Sequence, residues 1–516
     1  MPTPFPEPSA PPATPSPPES TRRSAFARRF GSSFWLLGLL ALWLLVTLGL
    51  RPLMVPDEGR YAGIARDMVS GDWLVPRLNG LPFFHKPPLF YWIDMAAMQL
   101  LGANAFSARI APMVGAWLMG ASLLLALRPW HGHRVALMAL GLLATCPFYF
   151  VGAQYANHDM LVAGLITVAV FAFAHGVEST RRVHLGWVVL GWAACALATL
   201  SKGLVGIVLP ALVIGPWLLA RGRFRQMRGV LHPLGLLVFV ALAAPWFVAM
   251  QLRFSGFFDY FFVEQHFRRF AQINFNNQHP FWFFLVAMPA LTLPWSLWLP
   301  QALRRAWGAR DDRSLFYLWW IVAVVGFFSL PSSKLVGYVL PATAPLCALL
   351  ALAIGAGRER VWLGVMALAA PLCVALVVAL AWRAPKSNLG AAMALAQRIG
   401  PADRVVMVDA YFSDLPFYAG LREPVLVASD WDDPALPARD NWRKELFDAA
   451  RFDPPRGTAL LRPRDRLDAL LCDQATVWFV TGPHVAAQVS VLAGATLAFA
   501  DAQTELWRAP GRPCPG

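Results

Sequence analysis

Apolar residues in this chain fall in long unbroken blocks separated by short polar loops, not in the spaced stripes of soluble helices and strands. The blocks lie near 34–50, 107–127, 135–151, 160–177, 185–200, 204–220, 230–250, 281–301, 315–330, 338–354 and 361–381. Each approaches the roughly 20 apolar residues a helix needs to cross the bilayer core. Only segments that satisfy their own backbone can sit there. The pattern predicts a polytopic α-helical membrane protein of about 11–13 spans, with broken or short helices setting the upper figure.

The two ends depart from this pattern. Residues 1–20 hold nine prolines among Ser, Thr and Ala, too little apolar surface to pack, and residues 1–30 are expected to be a disordered cytoplasmic tail. The first block follows Arg22, Arg23, Arg28 and Arg29 and has no small-residue cleavage site behind it, so it reads as an uncleaved first span. After Trp382 short strand-like runs (Arg404–Val408, Val425–Ala428, Thr476–Thr481) alternate with helix-like stretches at Pro416–Gly420 and Arg466–Cys472. Residues 31–383 are therefore expected to form a membrane domain, and 384–516 a small soluble α/β domain.

Composition agrees: 57% of the residues are hydrophobic and 14% charged, where a soluble domain has about 25% charged. The net charge of +14 would point to nucleic acid in a soluble protein. Its distribution says otherwise. Counting the tail, eighteen Arg fall in every second loop, at 22–29, 128–134, 181–182, 221–228, 304–313 and 358–360. That is the positive-inside signature. It predicts an inner (plasma) membrane protein with no nucleic-acid partner, whose remaining loops and C-terminal domain face the periplasm. Residues 384–516 carry 16 acids and 14 bases, so the cationic excess belongs to the membrane part. Six scattered cysteines show no metal-ligand spacing; a Cys472–Cys514 disulfide is one option in an oxidising compartment.

Polar groups in the outward loops (51–106, 152–159, 251–280 and 331–337) are few, and ionisable groups at membrane depth are costly enough to suggest function. Asp57 and Glu58 directly follow the first span, with Arg60 and Tyr61 behind them. Trp73, Tyr91 and Trp92 would anchor this loop at the interface. Asp159 heads the fourth span, where it is either a helix-dipole charge or a functional acid. Lys202 stands alone between two blocks, as a snorkelling lysine or a phosphate contact. Loop 251–280 mixes aromatics with Glu264, His266, Arg268 and Arg269, a surface suited to sugar rings and hydroxyls. His85 and His266 sharing a metal has little support, and no metal is expected. Lys334 and Tyr338 lie between the last outward spans. Cations Arg60, Lys86, Lys202 and Lys334 facing Asp57, Glu58 and Asp159 suit an anionic lipid headgroup undergoing chemistry, the bases holding phosphate oxygens.

These motifs, VPDEGRYA, GDWLVPRLNGLPFFHKPPLFYW, EQHFRRF with HPFWFF, and SKLVGYVLP, resemble the bacterial aminoarabinose transferases of lipid A. More distantly they resemble the protein O-mannosyltransferases. The resemblance covers roughly residues 34–345 and implies a GT-C type glycosyltransferase with an extracytoplasmic site and a polyprenyl-phosphate-linked sugar donor. It makes Asp57 the main catalytic residue and Asp159 a second acid. It makes Arg60, Lys86, Lys334 and Tyr338 donor-phosphate ligands and turns Tyr61 towards the donor; the loop reading adds Lys202 as a further phosphate ligand and Glu58 and His266 as substrate contacts. The chain departs from the pattern where His85 replaces a Glu before Lys86, removing a carboxylate a metal could use. It departs again where Val336-Gly337 follows Leu335 instead of a proline, which bears on the choice of sugar or acceptor.

The expected reaction is attack of an acceptor oxygen on the anomeric carbon with inversion, undecaprenyl phosphate leaving. Asp57 would orient or deprotonate the acceptor, and the cations would stabilise the leaving phosphate, with no cofactor required. The sugar is aminoarabinose or another amino sugar or hexose. The acceptor is lipid A or another glycolipid, and membrane lipids surround the whole, making lipopolysaccharide modification and polymyxin resistance the expected outcome. A protein O-glycosyltransferase of the same fold is the nearer alternative. A lipid transporter or flippase would instead call for broken helices with polar groups at the midplane and inverted repeats, and a non-catalytic receptor would not require Asp57, Arg60 and Lys86 together.

Overall fold

The computed structural model describes residues 33–178, 182–268, 276–354, 359–383, 386–472 and 475–512. The proline-rich tail, Arg269 and the Cys514 partner of the suggested disulfide lie outside them.

All eleven apolar blocks become helix, though not as eleven equal spans. Among the described residues seven helices are individually long and apolar enough to cross a membrane, or eight if Phe283–Leu291 and Trp295–Ala309, bent by 112°, are one span. Ser33–Leu45 and Val205–Ala220 are apolar but shorter. Two blocks share the helix Ile110–Ala144, which is interrupted at Gly132, where φ is +84°. A Cβ on Gly120 would lie 3.3 Å from the Leu140 side chain. Twenty residues of straight helix would hold those positions about 30 Å apart, so the two halves fold back on each other through the Gly132 turn. Gly permits that left-handed turn without steric cost.

The basic loops meet at one end of the bundle. Arg313 donates to Trp130 O at 2.8 Å, Arg223 pairs with Asp312 at 3.2 Å, and Arg128 bonds Ser33 at the start of the first helix. The loops without them lie beyond the opposite helix ends. There the amphipathic helices Asp57–Ser70 and Leu89–Leu101 flank a hairpin of β1 (Arg77–Leu78) and β2 (Leu81–Pro82). Its turn is Asn79-Gly80, both at positive φ, as a two-residue hairpin favours.

The C-terminal residues form one six-stranded sheet in the order β5-β4-β3-β6-β8-β7. β3 (Arg404–Val408), β4 (Leu426–Ser429), β5 (Leu461–Pro463) and β6 (Val477–Thr481) run parallel. β7 (Thr496–Ala500) and β8 (Glu505–Ala509) close one edge antiparallel. The three strand-like runs read from sequence are β3, β4 and β6. Val405–Val408 and Val477–Thr481 are buried throughout, as strands covered on both faces must be.

This sheet domain is tied to the loop after the first span by several bonds. Asn79 of the hairpin turn exchanges two hydrogen bonds with the Val425 backbone, at 2.8 and 2.9 Å. Tyr418 accepts from Leu53 N at 2.5 Å, and Val55 N donates to Lys386 O at 2.8 Å. Gly59 makes the close approach feasible: a Cβ there would stand 2.7 Å from the backbone and Cβ of Asp414.

Candidate active site

Asp57 opens its helix immediately after Pro56, in the first turn, where the dipole favours a carboxylate. Its side chain keeps 26% exposure. Oδ1 accepts from Arg60 Nη2 at 2.6 Å and Oδ2 from Asn157 Nδ2 at 3.4 Å. Arg60, one turn on, lies over the Tyr61 ring at 4.9 Å and pairs through Nη1 with Glu445. Glu445 comes from the helix Trp442–Ala450 of the sheet domain, 385 residues away. Burial pushes the Tyr61 phenol up, against the pull of Arg60, so it enters the site as a neutral donor or ring face.

The second acid is set by Asn157. This residue caps the helix His158–Gly176, its Oδ1 accepting from Asp159 N at 3.0 Å, while its amide faces Asp57. One side chain thus ties the Asp57 carboxylate to the backbone of Asp159. Asp159 forms an ion pair with Lys202 at the end of the helix Leu185–Lys202, and the Lys202 ammonium stands 4.4 Å from the Tyr338 ring centroid. Gly337 completes the contact. A Cβ there would come within 2.2 Å of Asp159 Oδ2, so a side chain is excluded beside this carboxylate. Gly337→Ala is expected to push Asp159 off Lys202. Because a misplacement of about 1 Å can cost on the order of 10²-fold in rate, transfer should fall by about tenfold or more with the protein still folded. Size-exclusion profile and transfer rate of the purified variant check this together.

Lys86 donates to His85 O at 3.1 Å. Arg60 and Lys202 are linked through Asp57, Asn157 and Asp159, between the first loop and the span bundle. His158 is fully buried, stacked on Phe90 at 4.4 Å and edge-on to Tyr61 at 4.6 Å. Neither ring nitrogen has a hydrogen-bond partner among the described residues. Sequence reasoning passed over His158, Asn157 and Glu445. Only the polar run Gly152–Asp159 held a signal for the first two. Tyr91, expected as an interfacial anchor, is instead fully buried beside His158.

Three expected contacts are placed elsewhere. Glu58, read as a substrate ligand, has no exposure. Its Oε1 accepts from Arg51 Nη2, Arg109 Nε and Ala156 N at 2.8–2.9 Å. Its Oε2 accepts from Met54 N at 3.0 Å, Arg109 Nη2 at 3.1 Å and Arg51 Nη1. With six donors on two oxygens, no lone pair faces a ligand. Burial would raise this carboxyl, but Arg109 and Arg51 outweigh it and hold it at about 2. His266 is spent on the fold: Nδ1 bonds Phe261 O at 2.7 Å and Nε2 meets Leu204 N at 3.3 Å, behind Gly203, whose φ is +90°. Lys334 is buried and donates to His279 O at 2.9 Å and to Pro331 O, clamping loop 276–280 to loop 331–334. All three side chains bond to the scaffold. Among the described residues no three His, Cys, Asp or Glu side chains come together as a metal group.

Residues 85–248 match a family model described as dolichyl-phosphate-mannose-protein mannosyltransferase. The chain is 37% identical over 317 residues to the undecaprenyl phosphate-α-4-amino-4-deoxy-L-arabinose arabinosyl transferase of Erwinia tasmaniensis, covering 60% of this chain and 57% of that one. It is 36% identical over 329 residues to a transferase of the same description from Sodalis glossinidius, covering 61% and 58%. The chain thus aligns with a little over half the length of these curated relatives. The crystal structure of ArnT from Cupriavidus metallidurans bound to undecaprenyl phosphate matches with a TM-score of 0.77 at 25% identity, over 92% of this chain and 97% of that one. The apo form of the same protein matches at 0.79, with 24% identity and 93% and 98% coverage. The structural match takes in most of the chain, and this chain is a membrane protein of the GT-C glycosyltransferase fold that resembles the undecaprenyl phosphate-aminoarabinose arabinosyl transferases.

Proposed function

We propose that the protein is an inverting glycosyltransferase that moves a sugar from undecaprenyl phosphate to lipid A or a related acceptor at the periplasmic face of the inner membrane. The observation that carries this reading is an accessible carboxylate, Asp57, bonded to Arg60 and linked through Asn157 to the Asp159–Lys202 pair, on a fold whose solved counterpart holds undecaprenyl phosphate. Arg60, Lys86 and Lys202 bind the donor phosphate and stabilise it as it leaves. Asp57 orients the acceptor or takes its proton, and Asp159, held by Lys202 and Asn157, fixes the geometry on the far side. No cofactor is needed, because these side chains neutralise the leaving phosphate. The gathering of basic loops at the opposite end of the bundle supports the periplasmic orientation. Aminoarabinose is the sugar favoured by the relatives' descriptions.

The test is mass spectrometry of lipid A from cells with and without the gene. Loss of one sugar increment from lipid A, with lower polymyxin resistance, is the expected result. Identical lipid A in both strains would overturn it. The description of the matched family model favours one second reading, a protein O-glycosyltransferase, for which the lost increment would appear on a periplasmic protein instead.

A further inference from the structure

Arg60 is held in an unusual way. It sits in a side chain only 13% exposed, with Asp57 on Nη2 and Glu445 on Nη1, while Nε is buried with no hydrogen-bond partner among the described residues. One cation thus serves two carboxylates and still has an unused buried donor. A planar guanidinium matches phosphate best with two parallel N–H groups. Nε supplies one such bond. The neighbouring N–H on that side belongs to Nη2, whose second hydrogen remains available beside the Asp57 bond, so Glu445 on Nη1 opposes the phosphate through its charge and not by filling its donor. A phosphate arriving here also meets two like charges in a partly buried setting, where repulsion is strong.

We propose that Glu445 is a positioning residue that occupies Arg60 in the donor-free protein and yields it to the donor phosphate, coupling donor loading to the docking of the sheet domain. This rests on the reading of Arg60 as a phosphate ligand. The helix that carries Glu445 is built to transmit the exchange. Asn441 caps it, accepting from Arg443 N and Lys444 N. Leu446 and Ala449 bury one face, and Glu445 and Asp448, three residues apart, present the other. Asp448 accepts from the Tyr260 hydroxyl at 3.4 Å and pairs with Lys444 at 2.8 Å. Phe452, just beyond the helix, packs edge-on against Phe84 at 4.9 Å and Tyr260 at 5.3 Å. Phe84 lies two residues before Lys86. The helix therefore rests on the segment that delivers the second phosphate cation, where Asp448, Phe452 and an Arg451–Glu264 pair at 3.9 Å also hold it. Exchange of one anion for another at Arg60 links the two sites reciprocally, as any coupling free energy must.

The experiment uses the full-length protein in lipid nanodiscs with undecaprenyl phosphate as the probe. Glu445→Gln, which removes the competing charge, is expected to bind the lipid about five- to tenfold more tightly, at the lower end of usual coupling strengths. Glu445→Asp, which keeps the charge, should bind like the wild type. In the wild type the lipid should raise amide hydrogen exchange across residues 442–450, and in Glu445→Gln exchange there should already be high and unresponsive. A merely structural Glu445 would move neither affinity in this direction nor the lipid response. Equal or weaker binding by Glu445→Gln, or exchange in the wild type that ignores the lipid, would overturn the coupling. If the wild type fails to bind undecaprenyl phosphate at all, the phosphate reading of Arg60 falls first and takes the coupling with it.

Discussion

Asp57→Asn is expected to abolish transfer while leaving the protein folded and inserted. A positioned acid or base is worth about 10²–10⁴-fold, and that is the loss expected in kcat. The side chain is isosteric, about a quarter exposed, and bonded to two groups among the described residues, so its neutral form can be satisfied by water. Arg60 keeps its second carboxylate, Glu445, and so stays in place. Donor affinity should therefore change little, and the loss should appear in kcat and not in KM. Arg60→Ala should show the opposite balance, because it removes a ligand of the donor phosphate. Where the acceptor is itself a phosphate, already ionised, Asp57 has no proton to take. It then orients the acceptor or stabilises the positive charge that grows at the anomeric carbon. Membranes carrying Asp57→Asn that transfer sugar at the wild-type rate would remove Asp57 from the mechanism.

Much of the architecture was legible because apolar blocks answer to one dominant physical demand. Helix length in a bilayer is set by hydrocarbon thickness, and each of the eleven blocks falls on helix, though not one helix to one block. The blocks could not distinguish a straight span from the 112° break at Leu291–Trp295 or the reversal at Gly132, since both depend on how neighbours pack. Asp57 was legible as a charge at the end of a span. Its neighbour Glu58 looked the same, yet adjacent helical residues point about 100° apart, and what lies on each side comes from elsewhere in the chain. For Glu58 it is Arg51 and Arg109. Arg109 had a readable signal, a lone cation at the head of an apolar block, which at such depth calls for a partner. The bonds of His266 and Lys334 were hidden for a different reason. A sequence displays their polar atoms but not the carbonyls of Phe261, His279 and Pro331 that already use them. Glu445 had no local signature at all, because its partner lies 385 residues away on another domain.

Glu58→Gln, one residue beyond Asp57, is expected to destabilise the protein instead of silencing it. Glu58 is the only carboxylate, among the described residues, paired with either buried guanidinium. Around it Arg109 also bonds the carbonyls of Leu48, Arg51 and Pro52 at 2.9–3.0 Å, and Arg51 bonds Gln154 O at 2.7 Å. The knot joins the end of the first helix, the start of the Asp57 helix, the head of the second span and the loop that carries Asn157. Removing one member of a buried ion pair typically costs about 3–5 kcal/mol, because the other charge stays buried. The pH dependence follows with the same sign. The carboxyl is depressed from 4.5 to about 2, so its contribution, about 3 kcal/mol by proton linkage, is fully present above about pH 4.5 and lost as pH falls towards 2. Melting of the detergent-purified variant, followed by tryptophan fluorescence, should therefore show a clear loss at neutral pH that shrinks on acidification, whereas Asp57→Asn melts like the wild type. Replacing Arg109 by Met as well as Glu58 by Gln removes the stranded charge and should recover part of that loss. A Glu58→Gln protein as stable as the wild type would mean that water reaches these guanidinium groups, and that the scaffold beneath Asp57 is held by something other than this carboxylate.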